Sequence, residues 1–267
     1  MNVVTIVQAR TSSTRLPGKV LLPLLGRPVL LRLVERLHEA RLAGVVVVAT
    51  TTDLEDDAIE ALCLAEGIPC FRGHPTDLLD RHLRAAQWLE ADAVVKVPSD
   101  CPLVDPRIVD RVIGEFLRRP DGYDYVSNLH PASYPDGNDV EIMAMPALQA
   151  AWREANRSFE REHTTPFLWE RPERFRLGNV ALEKGRNLSL SHRWTLDYRE
   201  DYLLIQAIFE ALYPRHRCFG WGDILALLKR KPELTALNAR HAGVNWYRHH
   251  LHELRTVTAA ETRLAHG

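Results

Sequence analysis

Residues 3–20 read VVTIVQARTSSTRLPGKV. An apolar, β-branched run gives way at Gln8 to a polar loop carrying Arg10, Arg15 and Lys19 and no carboxylate. Val3–Val7 has the length and composition of a buried strand. The loop ends in Gly18-Lys19 as a Walker A loop does, but Ser13 stands at that motif's first Gly and Val20 at its Ser/Thr. A P-loop places Mg²⁺ with the hydroxyl at that last position, so a metal bound near this loop must find its ligands elsewhere.

The pattern that follows places the loop in an α/β sheet. Leu30, Leu33, Val34, Leu37 and Ala40 recur at helical spacing, with Pro28 near the helix start and Gly44 past its end. VVVVATT is expected to be a strand covered on both faces. Asp53 is expected to cap the next helix with Asp56 as its reciprocal partner. IPCFRG, a helix from about Thr76 to Glu90, and DAVVKVPSD continue the alternation. Strand, helix, strand, helix predicts a three-layer α/β/α sandwich around a mainly parallel sheet. After about Asp121 the regularity breaks. NLHPASYPDGND leads into the strand candidate VEIMAM and a helix from Pro146; RFRLGNVALE and SLSHRWTLD read as further strands, the second running into a helix over about Arg199–Tyr213. Residues 130–185 are read as an inserted β/α segment forming an acceptor pocket or a dimer contact, within a domain spanning 1–230. Residues 231–267 are read as a polar tail, and its clustered His249, His250 and His252 as a solvated helix face.

Composition narrows the function. A 267-residue chain of net charge −1, with 26% charged residues, has no global basic field to attract nucleic acid or an anionic membrane, so any anion site is local. Four cysteines without a CxxC pair read as reduced thiols of a cytoplasmic protein, and no apolar run approaches the ~18 residues of a membrane span.

In an open parallel sheet, ligands bind beyond the carboxyl ends of the strands. The first strand would deliver Gln8, Ala9, Arg10, Ser12, Ser13, Arg15 and Lys19 to that rim, the second Thr50, Thr52 and Asp53, the third Arg72, the fourth Ser99 and Asp100. Three cations held close repel one another, and a bound polyanion relieves them; each charge-assisted hydrogen bond to phosphate contributes roughly 1.5–3 kcal/mol. Asp100 opposite them suits Mg²⁺, which takes one or two carboxylates and completes its shell with water and phosphate oxygens. Asp105, just before Pro106, is expected to cap a helix. Asp197 in RWTLDY is a second candidate ligand, and on spacing alone it is equally an N-cap, with Asp201 as its partner.

QARTSSTRLPGKVL resembles the QAR-x-x-SxRLPGK signature of cytidylyltransferases that activate acidic sugars, especially the spore coat polysaccharide biosynthesis protein F branch and the CMP-KDO and acylneuraminate synthetases. RGHPTDLLDRH (72–82), PSDCPLVDP, NDVEIM, REHTTPF (161–167) and WTLDYREDY (194–202) extend the resemblance over about the first 210 residues. It implies a Rossmann-like nucleotidyltransferase sheet of the GT-A type, and a first loop wrapped around the triphosphate of CTP. It also implies Mg²⁺ on Asp100 and Asp197, catalysis by these with Arg10 and Lys19, Arg81 among the nucleotide-binding residues, and Glu141, Arg161 and His163 on the acceptor or dimer side of a homodimer. The chain departs from the signature at Thr11-Ser12, where the family usually has Met-Gly. The expected reaction is attack of a hydroxyl of an acidic sugar or related acceptor on the α-phosphorus of CTP, releasing pyrophosphate. The rivals are a GT-A glycosyltransferase, which commonly holds its metal through a DxD pair that this chain lacks, and an inactive nucleotide-binding homologue.

Overall fold

Val3–Gln8 forms strand β1, and its alternation serves two cores: Val4 and Ile6 face one layer of helices, Val7 the other. The chain is described by a computed structural model covering residues 1–119 and 122–263; the change of pattern expected at Asp121 and the last four positions of the expected tail lie outside the described residues. Chain order gives β2 (Pro23–Leu24) and β3 (Arg27–Pro28), a small antiparallel ladder, then α1 (Val29–His38) and β4 (Val45–Thr51). After α2 (Asp57–Ala65) come β5 (Cys70–Gly73), α3 (Leu78–Trp88), β6 (Ala93–Pro98) and α4 (Pro106–Leu117). β7 (Tyr125–Ser127), β8 (Glu141–Ala144), α5 (Met145–Glu154), α6 (Ser158–His163), α7 (Pro166–Trp169) and β9 (Leu177–Asn179) follow, then α8 (Arg199–Leu212), α9 (Trp221–Arg230) and α10 (Pro232–Ala236).

Among the described residues the main sheet runs β5-β4-β1-β6-β8-β7-β9. β5, β4, β1 and β6 are parallel; β8 runs antiparallel to both β6 and β7, and β9 is parallel to β7. The mainly parallel sheet with an inserted β/α segment is therefore present, with β8 as the strand that reverses direction. Apolar faces of α1, α2 and α4 cover one side, and those of α3, α5, α6 and α7 the other. Asp105 caps α4 as expected, accepting from Arg107 N at 2.8 Å with Pro106 in the first turn.

The strand order locates the site. From β1 the chain winds outward through β4 to β5, then crosses back to β6 on the opposite side of β1, so the order reverses between β1 and β6. The crevice beyond that reversal is bounded by Gln8 and Pro98, register partners at the two strand ends. The ends of β4 and β5 stand one and two strands away.

Four expectations are corrected. Asp53 makes no capping hydrogen bond, because a 3₁₀ turn over Leu54–Asp56 intervenes and α2 begins only at Asp57; Asp56 turns its carboxylate to Thr11 and Thr51 instead. SLSHRWTLD is not a strand. Its alternating Trp194 and Leu196 pack onto α8 and α9 in a third core, and its backbone meets the 136 loop through a single isolated bridge, with Asp136 N to His192 O (2.9 Å) and Trp194 N to Asp136 O (2.7 Å), and the end of β6 through Leu196 N to Asp100 O (2.8 Å). Asp197 is accordingly neither a strand end nor an N-cap; Tyr198 holds the cap position of α8, and Asp201 accepts from the backbone of Tyr198 and Asp197 at 3.0 and 2.9 Å. The residues from 231 onward are not a free polar appendage. Leu254 and Val257 are buried in the second core, and Glu170 accepts from Arg255 N, Thr256 N and Thr256 Oγ1 at 2.6–2.9 Å. The clustered histidines do not share a helix face: His249 ends a 3₁₀ turn (Trp246–His249) and His250 contacts Glu253 at 2.9 Å.

Gly137 makes the close approach that seats the 136–139 loop on the 193–196 segment. Its φ is +100°, and a Cβ there would lie 2.6 Å from Trp194 C and 2.7 Å from Thr195 N. Gly137→Ala is expected to cost roughly 2 kcal/mol, read as a lowered midpoint in thermal unfolding followed by circular dichroism. An unchanged midpoint would refute the packing described.

Candidate functional site

The loop after β1 is closed by its own backbone. Ser13 N and Gly18 N both donate to Thr11 O (2.8 and 2.9 Å), and Gly18, at φ +67°, turns the chain into the 3₁₀ turn Lys19–Leu21. Val20 is buried in the first core, as expected of a residue with no metal to hold. Thr11 anchors the loop: its N and Oγ1 each donate to Asp56 Oδ1 at 2.7 Å, while Thr51 Oγ1 donates to Asp56 Oδ2 at 2.6 Å. Burial opposes the Asp56 charge, but these donors outweigh it and hold the carboxyl below its ordinary value. The Thr11-Ser12 departure thus supplies a side-chain tether where the family signature has Met-Gly.

Under this loop lies a cavity of about 700 Å³ lined by Arg10, Ser12, Ser13, Arg15, Lys19 and Asp100, with Gln8, Ala9, Arg81, Ser99, Arg161 and His163 also on its walls. Arg10 is exposed and has no hydrogen-bond or ion-pair partner among the described residues, so its charge is available to a ligand. Arg81 is committed to the carbonyls of His74 and Pro75 at 2.7–3.0 Å; burial and then Arg10 lower its pKa to about 10. Arg161 is likewise committed, to Asp77 and the Trp152 carbonyl.

Lys19 is the hub. Its Nζ donates to Asp100 Oδ2 (2.9 Å), Asp197 Oδ1 (2.9 Å) and Leu196 O (2.7 Å). Burial works against the ammonium, but the two carboxylates more than offset it and raise its pKa. Asp197 also takes Arg15 Nη2 at 2.6 Å and Arg193 Nη2 at 2.9 Å; against the penalty of burial, Lys19 and Arg15 hold its carboxyl far below the ordinary value. Arg193, itself buried, reaches Asp136, Asp197 and Asp201 and the Val244 carbonyl at 2.9–3.2 Å. It is spent on protein.

Not every rim residue converges. Thr50, Thr52, Asp53 and Arg72 lie outside both cavities, in keeping with the position of β4 and β5 away from the reversal. Arg72 pairs with Asp57 (2.6 Å) and Glu60 (2.9 Å) and donates to Thr51 O and Asp53 O. It braces the β4–α2 turn instead of meeting a phosphate.

A second cavity of about 390 Å³ adjoins the first through Gln8, Arg15, Asp100 and His163. Its floor holds Glu141, paired with Lys96 and accepting from Tyr125 Oη at 2.6 Å. His163 stacks on Trp246 with ring centroids 3.8 Å apart, and burial, followed by the charge of Lys96, lowers its pKa to about 3, so the ring is neutral at pH 7. Asp136 and Asp139 line the same space, both carboxyls pushed up first by burial and then by neighbouring carboxylates, Asp139 to about 6. Sequence reading missed Asp136, Asp139, Trp246 and Tyr247. For the first two, the carboxylates of PDGND beside NDVEIM were a usable signal; for the tail aromatics there was none.

The donor chemistry around Lys19 fits a hard divalent cation. Asp100 and Asp197 already share one cationic group, two further aspartates, Asp136 and Asp139, line the adjoining cavity, and among the described residues the hydrogen-bond partner of Asp100 Oδ1 is Cys101 Sγ, at 3.7 Å. Among the described residues no cluster of three or more His, Cys, Asp or Glu is disposed to hold a metal alone. An ion here would complete its shell with phosphate and water oxygens, as Mg²⁺ commonly does.

A mainly parallel sheet with an anion-accepting loop and a rim aspartate at its strand-order reversal defines an α/β nucleotidyltransferase-like protein. A sequence model described as cytidylyltransferase matches residues 4–219, and the chain belongs to that family. It is 33% identical over 243 residues to an uncharacterized protein of Methanocaldococcus jannaschii (90% of this chain, 95% of that one). It is 28% identical to the spore coat polysaccharide biosynthesis protein SpsF of Bacillus subtilis, over 87% of this chain and 96% of that one. Among solved structures, a cytidylyltransferase from Leptospira borgpetersenii superposes with a TM-score of 0.83 at 31% identity, covering 88% of this chain and 97% of that one. A CMP-KDO synthetase solved with CTP shares the fold, with a TM-score of 0.59 at 18% identity over 79% of this chain and 99% of that one.

Because the folded pKa of Asp197 is depressed, the stability it contributes is present above about pH 4 and is lost as pH falls further, through the folded value. Asp197→Asn is therefore expected to lower the unfolding midpoint at pH 7, with the gap from wild type narrowing below about pH 4. An equal gap at pH 3 and pH 7 would contradict the charge network.

Proposed function

We propose that the protein transfers CMP from CTP to a hydroxyl of a sugar or sugar-like acid, releasing pyrophosphate, in the synthesis of a surface glycan precursor. The observation that carries this reading is Lys19 held between Asp100 and Asp197 where the two cavities join, beneath a loop whose Arg10 is unpaired. Family membership and the likeness to SpsF support it. The triphosphate occupies the larger cavity, against Arg10, Arg15, Lys19 and the hydroxyls of Ser12 and Ser13; the acceptor occupies the smaller one. Little covalent chemistry is asked of the protein, since nucleotidyl transfer is mostly positioning and charge stabilisation. The acceptor oxygen forms a bond to the α-phosphorus as its proton passes to solvent, and the bond from the α-phosphorus to the pyrophosphate oxygen breaks. Arg10, Arg15 and Lys19 neutralise the leaving pyrophosphate. Asp100 and Asp197 are the residues that would hold Mg²⁺, which when bound supplies positive charge to phosphate oxygens. The family resemblance extends the proposal to a homodimer, and the four free cysteines to a cytoplasmic setting.

The test is a matrix of the four nucleoside triphosphates with Mg²⁺ against acidic sugars, sugar phosphates and amino-acid-derived acceptors, read by pyrophosphate release. Release with CTP is expected. Turnover of a nucleotide sugar without pyrophosphate would favour the glycosyltransferase, and CTP binding without release across the panel the inactive homologue. Asp100→Ala is expected to abolish turnover with the fold intact, and near-normal activity in that variant would remove Asp100 from the mechanism. Lys19→Ala is expected to raise the Kd for CTP at least about tenfold, the equivalent of one lost charge-assisted bond. An unchanged Kd would exclude Lys19 from the triphosphate site.

A further inference from the structure

The family match ends at residue 219, yet the smaller cavity is walled in part by the chain beyond it: Trp246, Tyr247 and Arg248 lie on its lining. This segment is fixed from several sides. Arg193 Nη1 donates to Val244 O at 3.1 Å, Asn245 Nδ2 donates to Glu261 O at 3.0 Å, and Trp246 stacks on His163.

Most polar groups of this cavity are committed to the protein. Lys96 is paired with Glu141, Asn128 holds Asn138 O and Val140 N, Thr195 donates to Asp100 O, and Arg193 is consumed by carboxylates. Tyr247 is not: among the described residues its hydroxyl has no hydrogen-bond partner. Its ring is held edge-on to Trp246 with centroids 4.7 Å apart and to Trp169 at 6.2 Å, so it is positioned without spending the hydroxyl. Burial, and then the charges of Glu141 and Asp139, push the phenol well above its ordinary pKa, so it remains a donor at neutral pH. A phenol held in a cavity with its donor free suits a ligand that brings its own acceptors, and about 390 Å³ is the size of a monosaccharide-scale pocket.

We infer that residues 243–249 form the acceptor-recognition wall of the enzyme and that the Tyr247 hydroxyl hydrogen-bonds a polar substituent of a monosaccharide-sized, polyhydroxylated acceptor. This rests on the cytidylyl-transfer reading for its name of acceptor, but sugar binding in the cavity can be measured without turnover. The Tyr247 hydroxyl is a specificity group, and the wall that carries it lies outside the matched family region.

The experiment titrates the full-length protein with 3-deoxy-manno-octulosonate, N-acetylneuraminate, glucose and glucosamine, with and without CTP and in the absence of divalent ions. Quenching of tryptophan fluorescence reports on the cavity, whose lining includes Trp169 and, on the wall itself, Trp246. CTP binding is measured separately by calorimetry, so that its failure strikes the proposed function and leaves the sugar titration to judge this inference. At least one sugar is expected to bind wild type, and Tyr247→Phe, which keeps the ring and its packing, is expected to weaken that sugar about fivefold to tenfold. Its CTP affinity and unfolding midpoint should match wild type. No binding by any of the four sugars, with or without CTP, overturns the inference, and so does equal affinity in wild type and Tyr247→Phe. Trp246→Leu supplies a second reading: it removes the stack on His163, and unaltered sugar affinity in that variant would show that the wall does not shape the cavity.

Discussion

The Lys19 ammonium imposes the constraint on which the site depends. Taken out of water, it requires compensating charge, and it finds that charge on segments 81 and 178 residues away in sequence, at Asp100 and Asp197. Satisfying one buried cation therefore draws together the loop after β1, the end of β6 and the entry to α8. Arg193 repeats the device one layer deeper, joining Asp197 and Asp201 to the 136–139 loop and to the Val244 carbonyl. The two cations share Asp197, so the loop after β1 and the lining of the smaller cavity are linked through a single carboxylate.

This sharing explains how a highly charged centre coexists with a folded core. Lys19 and Arg15 keep Asp197 in its charged form, whereas Asp136, despite its pairing with Arg193, and Asp139, which accepts from Gly137 N at 3.2 Å, are driven by burial and by neighbouring carboxylates towards their neutral forms. The site is balanced on the side of the loop and short of cations on the side of the smaller cavity. Arriving phosphate and an accompanying divalent ion would bring both signs at once, which suits a centre of this kind better than either alone.

The sequence was legible where chemistry is local. The β1 run, the helical spacing of α1 and the Asp105-Pro106 cap each depend on residues a few places apart, and each is found where its pattern put it. Asp53 was misread because a 3₁₀ turn shifts the helix start by three residues, a difference too small for periodicity to register. SLSHRWTLD misled for another reason: period-two burial arises whenever an extended segment lies between two surfaces, and here those surfaces are helices. Asp56, Arg193 and Tyr247 were illegible because each is placed in part by a contact 45 or more residues distant, with Thr11, Val244 and Trp169 respectively, which no local pattern encodes.

The docking of residues 243–257 against the α6–α7 face also sets an order of assembly. Domains emerge from synthesis amino end first, so every residue that binds Lys19 is available while the wall of the smaller cavity has yet to be made. Residues 243–257 follow all of these in the chain, so the smaller cavity is closed by a segment translated after the residues that surround Lys19.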